Sequence, residues 1–137
     1  MNDDKIVLSI GAFVFNKGEI LLLKAPKWED RYVVPSGKVK FMEPVEDAVK
    51  REVLEETGLQ IKNLEFLNFI EFINPPQYYK DNFHGVGLQY KCQSFNRDVR
   101  LNSEATNYLW TPLGMASGLN LEEGTREALD LLVRKTL

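Results

Sequence analysis

Apolar and polar positions divide the chain into alternating strand-like and helix-like stretches. Residues 5–15 are apolar and rich in β-formers, Asn16-Lys17-Gly18-Glu19 is a turn signal, and Ile20 to Lys24 resumes the strand character, so 5–24 reads as a hairpin. A polar loop over 25–31 leads to a short strand, Tyr32-Val33-Val34, which stops at Pro35. Pro44 to Thr57 is the clearest helix: proline stands at a first helical position, acids crowd the start and Gly58 ends it. Ile61 to Ile73 is strand-like with a break near Lys62-Asn63, and Pro75-Pro76 closes it. Phe83 to Phe95 alternates, with Val86, Leu88, Tyr90 and Cys92 on one side and Gly87, Gln89, Lys91 and Gln93 on the other. Tyr108 to Thr111 is a last short strand. Asn120-Leu121-Glu122-Glu123 reads as a capping box opening an amphipathic helix from Leu121 to Lys135. The order predicts a mixed α/β domain, and no linker long enough for a second one interrupts residues 1–137.

Composition narrows the function classes. The 137 residues suit one domain, and 44% hydrophobic with 27% charged residues is a globular balance, not a disordered or fibrous one. One cysteine, Cys92, excludes an intrachain disulfide framework and any site of several thiolates. One histidine, His84, excludes a site of several imidazoles. The N-terminal residues lack the pattern of a secretory signal, and no run approaches the ~20 apolar residues that span a bilayer. The expectation is a cytoplasmic protein. A net charge of −3 argues against extended nucleic acid and against an anionic membrane as partners.

The helix at 44–57 breaks its own pattern. At about 100° per residue, Val45, Ala48 and Val49 share one face with Val53 beside it. One turn further, Glu52 and Glu56 fall in line with this stripe and Glu55 lies to one side. Carboxylates on a packing face are costly unless compensated, and three together repel. A divalent cation removes both difficulties, and hard oxygen ligands at i, i+3 and i+4 suit Mg²⁺ or Mn²⁺. Arg51 is placed to pair with Glu55 at i+4 or to orient a neighbouring carboxylate. A solvated acidic face is the competing reading, but it does not explain why the acids replace the apolar stripe.

The wider spacing is more specific. Gly37, five residues, Glu43, seven residues, Arg51-Glu52-Val53, one residue, Glu55-Glu56, one residue, Gly58-Leu59 resembles the signature box of the Nudix hydrolases at every fixed position. The resemblance implies an α/β/α sandwich with a mixed β-sheet, and hydrolysis of a nucleoside diphosphate linked to another moiety. It implies Glu52, Glu55 and Glu56 as metal ligands, with the backbone carbonyl of Gly37 in the metal shell. It implies Glu43 and Arg51 as braces of loop and helix, with Glu43 also open to a further metal, and it allows a homodimer. Two neighbouring positions depart from the common pattern: many members carry a second glycine where Ser36 stands, and many carry glycine where Met42 precedes Glu43.

Substrate determinants lie outside the box. Trp28 is either a base-stacking residue or a loop anchor. In Gln77 to His84, Tyr79 and Phe83 are candidates for base or sugar contact, against an exposed hairpin tip. Pro75, sixteen residues beyond Leu59, resembles a position associated with ADP-ribose hydrolysis and tilts the expectation toward ADP-ribose or nucleotide sugars. A nucleoside triphosphate pyrophosphohydrolase is the alternative, and a non-catalytic nucleotide sensor a more distant one. Glu104, in the loop before Trp110, resembles a further metal ligand or catalytic base, or is an ordinary loop carboxylate. Cys92 and Trp110 read as core, His84 as structural or exposed.

The box also relocates the charge. Residues 43–59 hold six acids and two bases, a net −4 out of the total of −3, leaving +1 elsewhere. The acidity is local, so the argument against anionic partners does not extend to a small phosphorylated substrate brought in by metal.

Overall fold

The computed structural model describes residues 5–74 and 82–136. Seven strands, β1 (Val7–Asn16), β2 (Glu19–Ala25), β3 (Arg31–Val33), β4 (Ser36–Lys38), β5 (Ile61–Ile73), β6 (His84–Ser94) and β7 (Asn107–Pro112), form one sheet with three α-helices, α1 (Val45–Thr57), α2 (Leu113–Ala116) and α3 (Glu123–Thr136), and a single 3-10 turn at Pro26–Trp28 among the described residues. The main order is β3-β2-β1-β6-β5; β4 adds to β1 and β7 to β2. Central β1 runs parallel to β6, from Val7 opposite Gly85 to Phe15 opposite Gln93. The other pairings are antiparallel, so the sheet is mixed.

Strand alternation builds two cores. Ile10, Ala12 and Val14 of β1 face Ala48, Val49 and Val53 of α1. Phe13 faces the other way, with Ala128, Leu129 and Leu132 of α3. The apolar run Ile20 to Leu23 in β2 serves both layers, as a strand covered on both faces must. The expected α/β/α sandwich is what the chain forms. Each fully buried leucine here contributes roughly 1.5–3 kcal/mol of transfer free energy.

Four expectations are corrected in detail. The 5–24 hairpin is paired only at its tip, Phe15 to Ile20 and Asn16 to Glu19. Beyond that the strands splay, because Ser9 to Gly11 pair with β4 while β2 pairs with β3 and β7. The short strand expected at 32–34 spans Arg31–Val33, and a further strand, β4, follows directly beyond Pro35. Pro44 is the cap of α1 rather than its first residue, with an extended ψ of 141°. The closing helix starts at Glu123, and Glu122 is the residue that caps it: its carboxylate accepts from the backbone N–H groups of Gly124 (2.9 Å) and Thr125 (3.0 Å). α2 was not foreseen, since four residues carry no readable period. The break near Lys62-Asn63 is real: the β5–β6 register shifts between Lys62 and Glu65, and Asn63 has φ +56°.

Candidate active site

α1 delivers its acids to the strand that follows the β3 turn. Glu52 and Glu56 stand one helical turn apart beside Ser36 and Gly37 of β4. Glu56 is 7% exposed, and the Ser36 backbone N–H donates to its Oε2 at 3.2 Å. A Cβ at Gly37 would overlap the Glu52 carboxylate, so glycine here lets that carboxylate rest against β4. Burial, then hydrogen bonding to Glu52, then the charges of Glu52 and Glu104 push the Glu56 carboxyl up to about 9, against the opposing pull of the Ser36 N–H.

Arg51 organises the rest. Its Nε and Nη2 form a fork on the Glu43 carboxylate at 2.7 and 2.9 Å, and Nη2 also donates to the Lys38 carbonyl at 3.0 Å. Its Nη1 donates to Glu52 at 2.7 Å and reaches Glu55 at 3.4 Å. Arg51 therefore orients a neighbouring carboxylate and only grazes Glu55, whose side chain is half exposed. Glu43 is held additionally by the Lys40 N–H at 3.0 Å. These bonds draw its pKa down to about 2, the Arg51 bond being the main cause. Met42, beside it, takes the left-handed conformation, φ +65°, and is 87% exposed. A position that needs positive φ is one that glycine fits without strain.

The comparisons with known proteins agree with this geometry. The pattern of the NUDIX domain family matches residues 5–132. The chain belongs to the Nudix hydrolases. A nucleoside triphosphatase NudI of Klebsiella pneumoniae is 32% identical over 126 residues, covering 85% of this chain and 89% of that protein. A NudI of Escherichia coli O81 is 32% identical over 127 residues, with the same coverage. Among solved structures, a MutT NUDIX hydrolase from Burkholderia pseudomallei superposes with TM-score 0.77 at 27% identity, covering 93% of this chain and 98% of that one. The NUDIX domain of Shewanella oneidensis NrtR, solved with ADP ribose, shares the fold with TM-score 0.78 at 15% identity, over 97% and 90% of the two chains. This Nudix hydrolase is thus a pyrophosphohydrolase by family.

Nudix hydrolases use divalent metal ions, and the donor set here fits one. Glu52, Glu55 and Glu56 offer hard oxygens, and burial, which disfavours the charged form of Glu56, is the penalty that a bound cation would offset. Among the described residues no three such side chains already converge as a chelate. Glu52 and Glu56 are together, while Glu55 is turned to Arg51. Glu104 is exposed on a turn held by Asn102, which accepts from its N–H at 2.9 Å, and its charge is felt at Glu56.

A small cavity of about 70 Å³ lies between the sheet and the start of α3, with Ser36, whose N–H holds Glu56, on its wall. Trp28, Gln89, Phe72 and Glu122 also line it. Trp28 packs against the core as a loop anchor would, and it also lines this space. The sequence shows Gln89 only as the polar side of its strand, Glu122 only as part of a capping box and Phe72 only as a strand residue. The signal was Gly11 and Gly87, whose missing side chains leave room on one face of β1 and β6 that the Gln89 amide fills. Phe83 does not line this cavity; its ring covers Gly85, and its backbone pairs with Asn74. Tyr79 and Pro75 lie outside the described residues. His84 pairs with Glu71 at 3.1 Å on the surface. Cys92 is fully buried, and burial pushes its thiol up to about 12. Trp110 is half-buried, with the Arg97 guanidinium 4.5 Å from its ring.

Proposed function

We propose that this chain is a divalent-metal-dependent nucleoside triphosphate pyrophosphohydrolase, releasing a nucleoside monophosphate and inorganic pyrophosphate. The observation that carries the chemistry is the buried Glu56 against Glu52, under a glycine that leaves the space open. Glu52, Glu55 and Glu56, with the Gly37 carbonyl, are the proposed ligands of Mg²⁺ or Mn²⁺, and Glu43 is a further oxygen donor held in reserve by Arg51. When bound, the metal neutralises phosphate charge and lowers the pKa of water. The protein's part is to hold those oxygens in place: Ser36 N–H orients Glu56, and Arg51 fixes Glu52 and Glu43. Glu104 is the proposed catalytic base or further ligand, supported by its electrostatic reach to Glu56.

The NudI relatives support the triphosphate class, because they match along most of the chain. The expectation of ADP-ribose or a nucleotide sugar rests on Pro75, outside the described residues, and is the second reading. Trp28 is the proposed base-stacking residue. The cytoplasmic location belongs to the same proposal. A substrate panel with Mg²⁺ or Mn²⁺, with products separated by chromatography, tests it. Pyrophosphate and monophosphate from triphosphates are expected; turnover of diphosphate sugars alone transfers the assignment to the second reading. Undiminished activity in excess EDTA overturns the mechanism.

A further inference from the structure

A cavity of about 730 Å³ opens at a different place, where the β1–β2 turn, the end of β6 and the start of β5 meet. It shares no lining residue with the small cavity at Ser36, and none of Glu43, Glu52, Glu55 or Glu56 lines it. Along β1 it begins at Phe15, four residues past Gly11, about 13 Å further at roughly 3.3 Å per residue. Its lining carries four cations, Lys17, Lys62, Lys91 and Arg97, and no carboxylate. Arg97 is spoken for, with Nη2 bonded to Glu19 at 2.6 Å and Nη1 to the Asn16 carbonyl at 2.9 Å. None of the three lysines makes an ion pair among the described residues, including Lys91 with its cross-strand neighbour Glu65. In a chain of net charge −3, that is a concentration of unpaired positive charge in one concave place.

The walls hold these charges in position. Lys62 Nζ sits 4.9 Å from the centre of the Phe95 ring, and Lys91 Nζ 5.1 Å from that of Phe15, both within cation–π range. The floor is tied down by buried Ser94. Asn16 donates its amide to the Ser94 carbonyl at 3.0 Å, and the Ser94 hydroxyl donates to the Asn96 carbonyl at 2.7 Å. A pre-placed set of ammonium groups over a rigid floor loses little ordering entropy when an anion arrives.

We propose that this groove is a second, non-catalytic site for a diphosphate-bearing anion, with Lys62 and Lys91 as the principal contacts and Lys17 at the rim. The diphosphate is either free inorganic pyrophosphate or the phosphate chain of a nucleotide. The site stands on its own residues and does not depend on which substrate the carboxylate site hydrolyses.

The test is calorimetric titration of pyrophosphate, and separately of ADP, into the full chain in EDTA, where the metal-free carboxylates repel anions. Amide NMR shifts are followed in parallel. Binding is expected, with shifts at Gly18, Ser94 and Asn96 rather than at Ser36 and Gly37. The Lys62→Ala/Lys91→Ala variant should weaken it by about tenfold or more, since each contact is charge-assisted, and should keep its basal turnover with metal. Equal affinity for the two ligands assigns the site to free diphosphate; tighter ADP binding assigns it to a nucleotide, with the exposed Phe95 ring as the added contact. Absence of binding, shifts confined to the carboxylate site, or affinity unchanged in the double variant overturns the proposal.

Discussion

The Arg51 guanidinium closes a two-bond fork on the Glu43 carboxylate at 2.7 and 2.9 Å, joining the loop before α1 to the middle of that helix. The same guanidinium holds Glu52, so the position of a proposed metal ligand depends on a pair eight residues wide. Lysine keeps the charge but not the fork. Arg51→Lys is expected to lower turnover by about 10–100-fold, as for other groups that orient ligands. Steady-state kinetics at saturating metal reads this, and wild-type rates in the variant would refute it.

That pair also sets an acid limit. The Glu43 carboxyl is drawn from 4.5 to about 2 in the folded protein. The native state therefore binds fewer protons there than the unfolded chain. The stabilisation is fully present above about pH 4.5 and disappears as pH falls toward 2. Thermal midpoints of wild type and Glu43→Gln should differ at pH 6 and converge as pH falls through that window.

Glu56 gives the opposite sign. Its carboxyl is raised from 4.5 to about 9, so the native state binds more protons than the unfolded one between those values. Metal-free stability should fall as pH rises from about 4.5 to 9. Glu56→Gln should flatten this slope, and the midpoint gained on adding Mg²⁺ should grow with pH in wild type. Turnover of the variant should be lower by orders of magnitude. A metal-free protein whose melting is insensitive to pH across this range would contradict the assignment.

Gly37→Ala places a methyl group on the Glu52 carboxylate. Either the carboxylate or β4 must move, and a displacement near 1 Å at a catalytic group costs on the order of 100-fold. The fold should survive, because Gly37 lies on a three-residue strand at the sheet's margin. Kinetics paired with circular dichroism separates loss of function from loss of structure.

Met42→Gly should act only on stability. A left-handed conformation costs an L-residue roughly 1–2 kcal/mol, and glycine returns part of that in unfolded-state entropy. A gain of up to ~1 kcal/mol is expected in denaturant unfolding. An unchanged or lower midpoint would mean the exposed methionine side chain has another use.

Much of this was legible before any coordinates. The period-two and period-3.6 stripes located the long strands and helices, because burial on one face leaves that imprint. The acids on α1 stood out because Glu52 and Glu56 interrupt such a stripe. What stayed hidden lacked a local imprint. β4 is three residues long and exists because it pairs with Ser9 to Gly11 of β1, a relation no window of sequence contains. Gln89 looked like the solvent side of an alternating strand, yet it is 8% exposed because its amide fills the space left by Gly11 and Gly87. The capping box expected over Asn120–Glu123 gave way to a cap at Glu122, whose N–H donates to the Tyr32 carbonyl of the 32–34 segment at 2.9 Å.

The parallel seam between β1 and β6 joins residues 78 positions apart, Val7 with Gly85 at one end and Phe15 with Gln93 at the other. During synthesis the strand that seats β4, and with it the Gly37 cradle, is made first, but its central neighbour emerges only after α1 and β5. Non-local pairing of this kind slows folding and delays closure of the sheet. A nascent chain stopped before β6 is expected to be protease-sensitive throughout, with protection of α1 and β1 appearing together once β6 has left the ribosome.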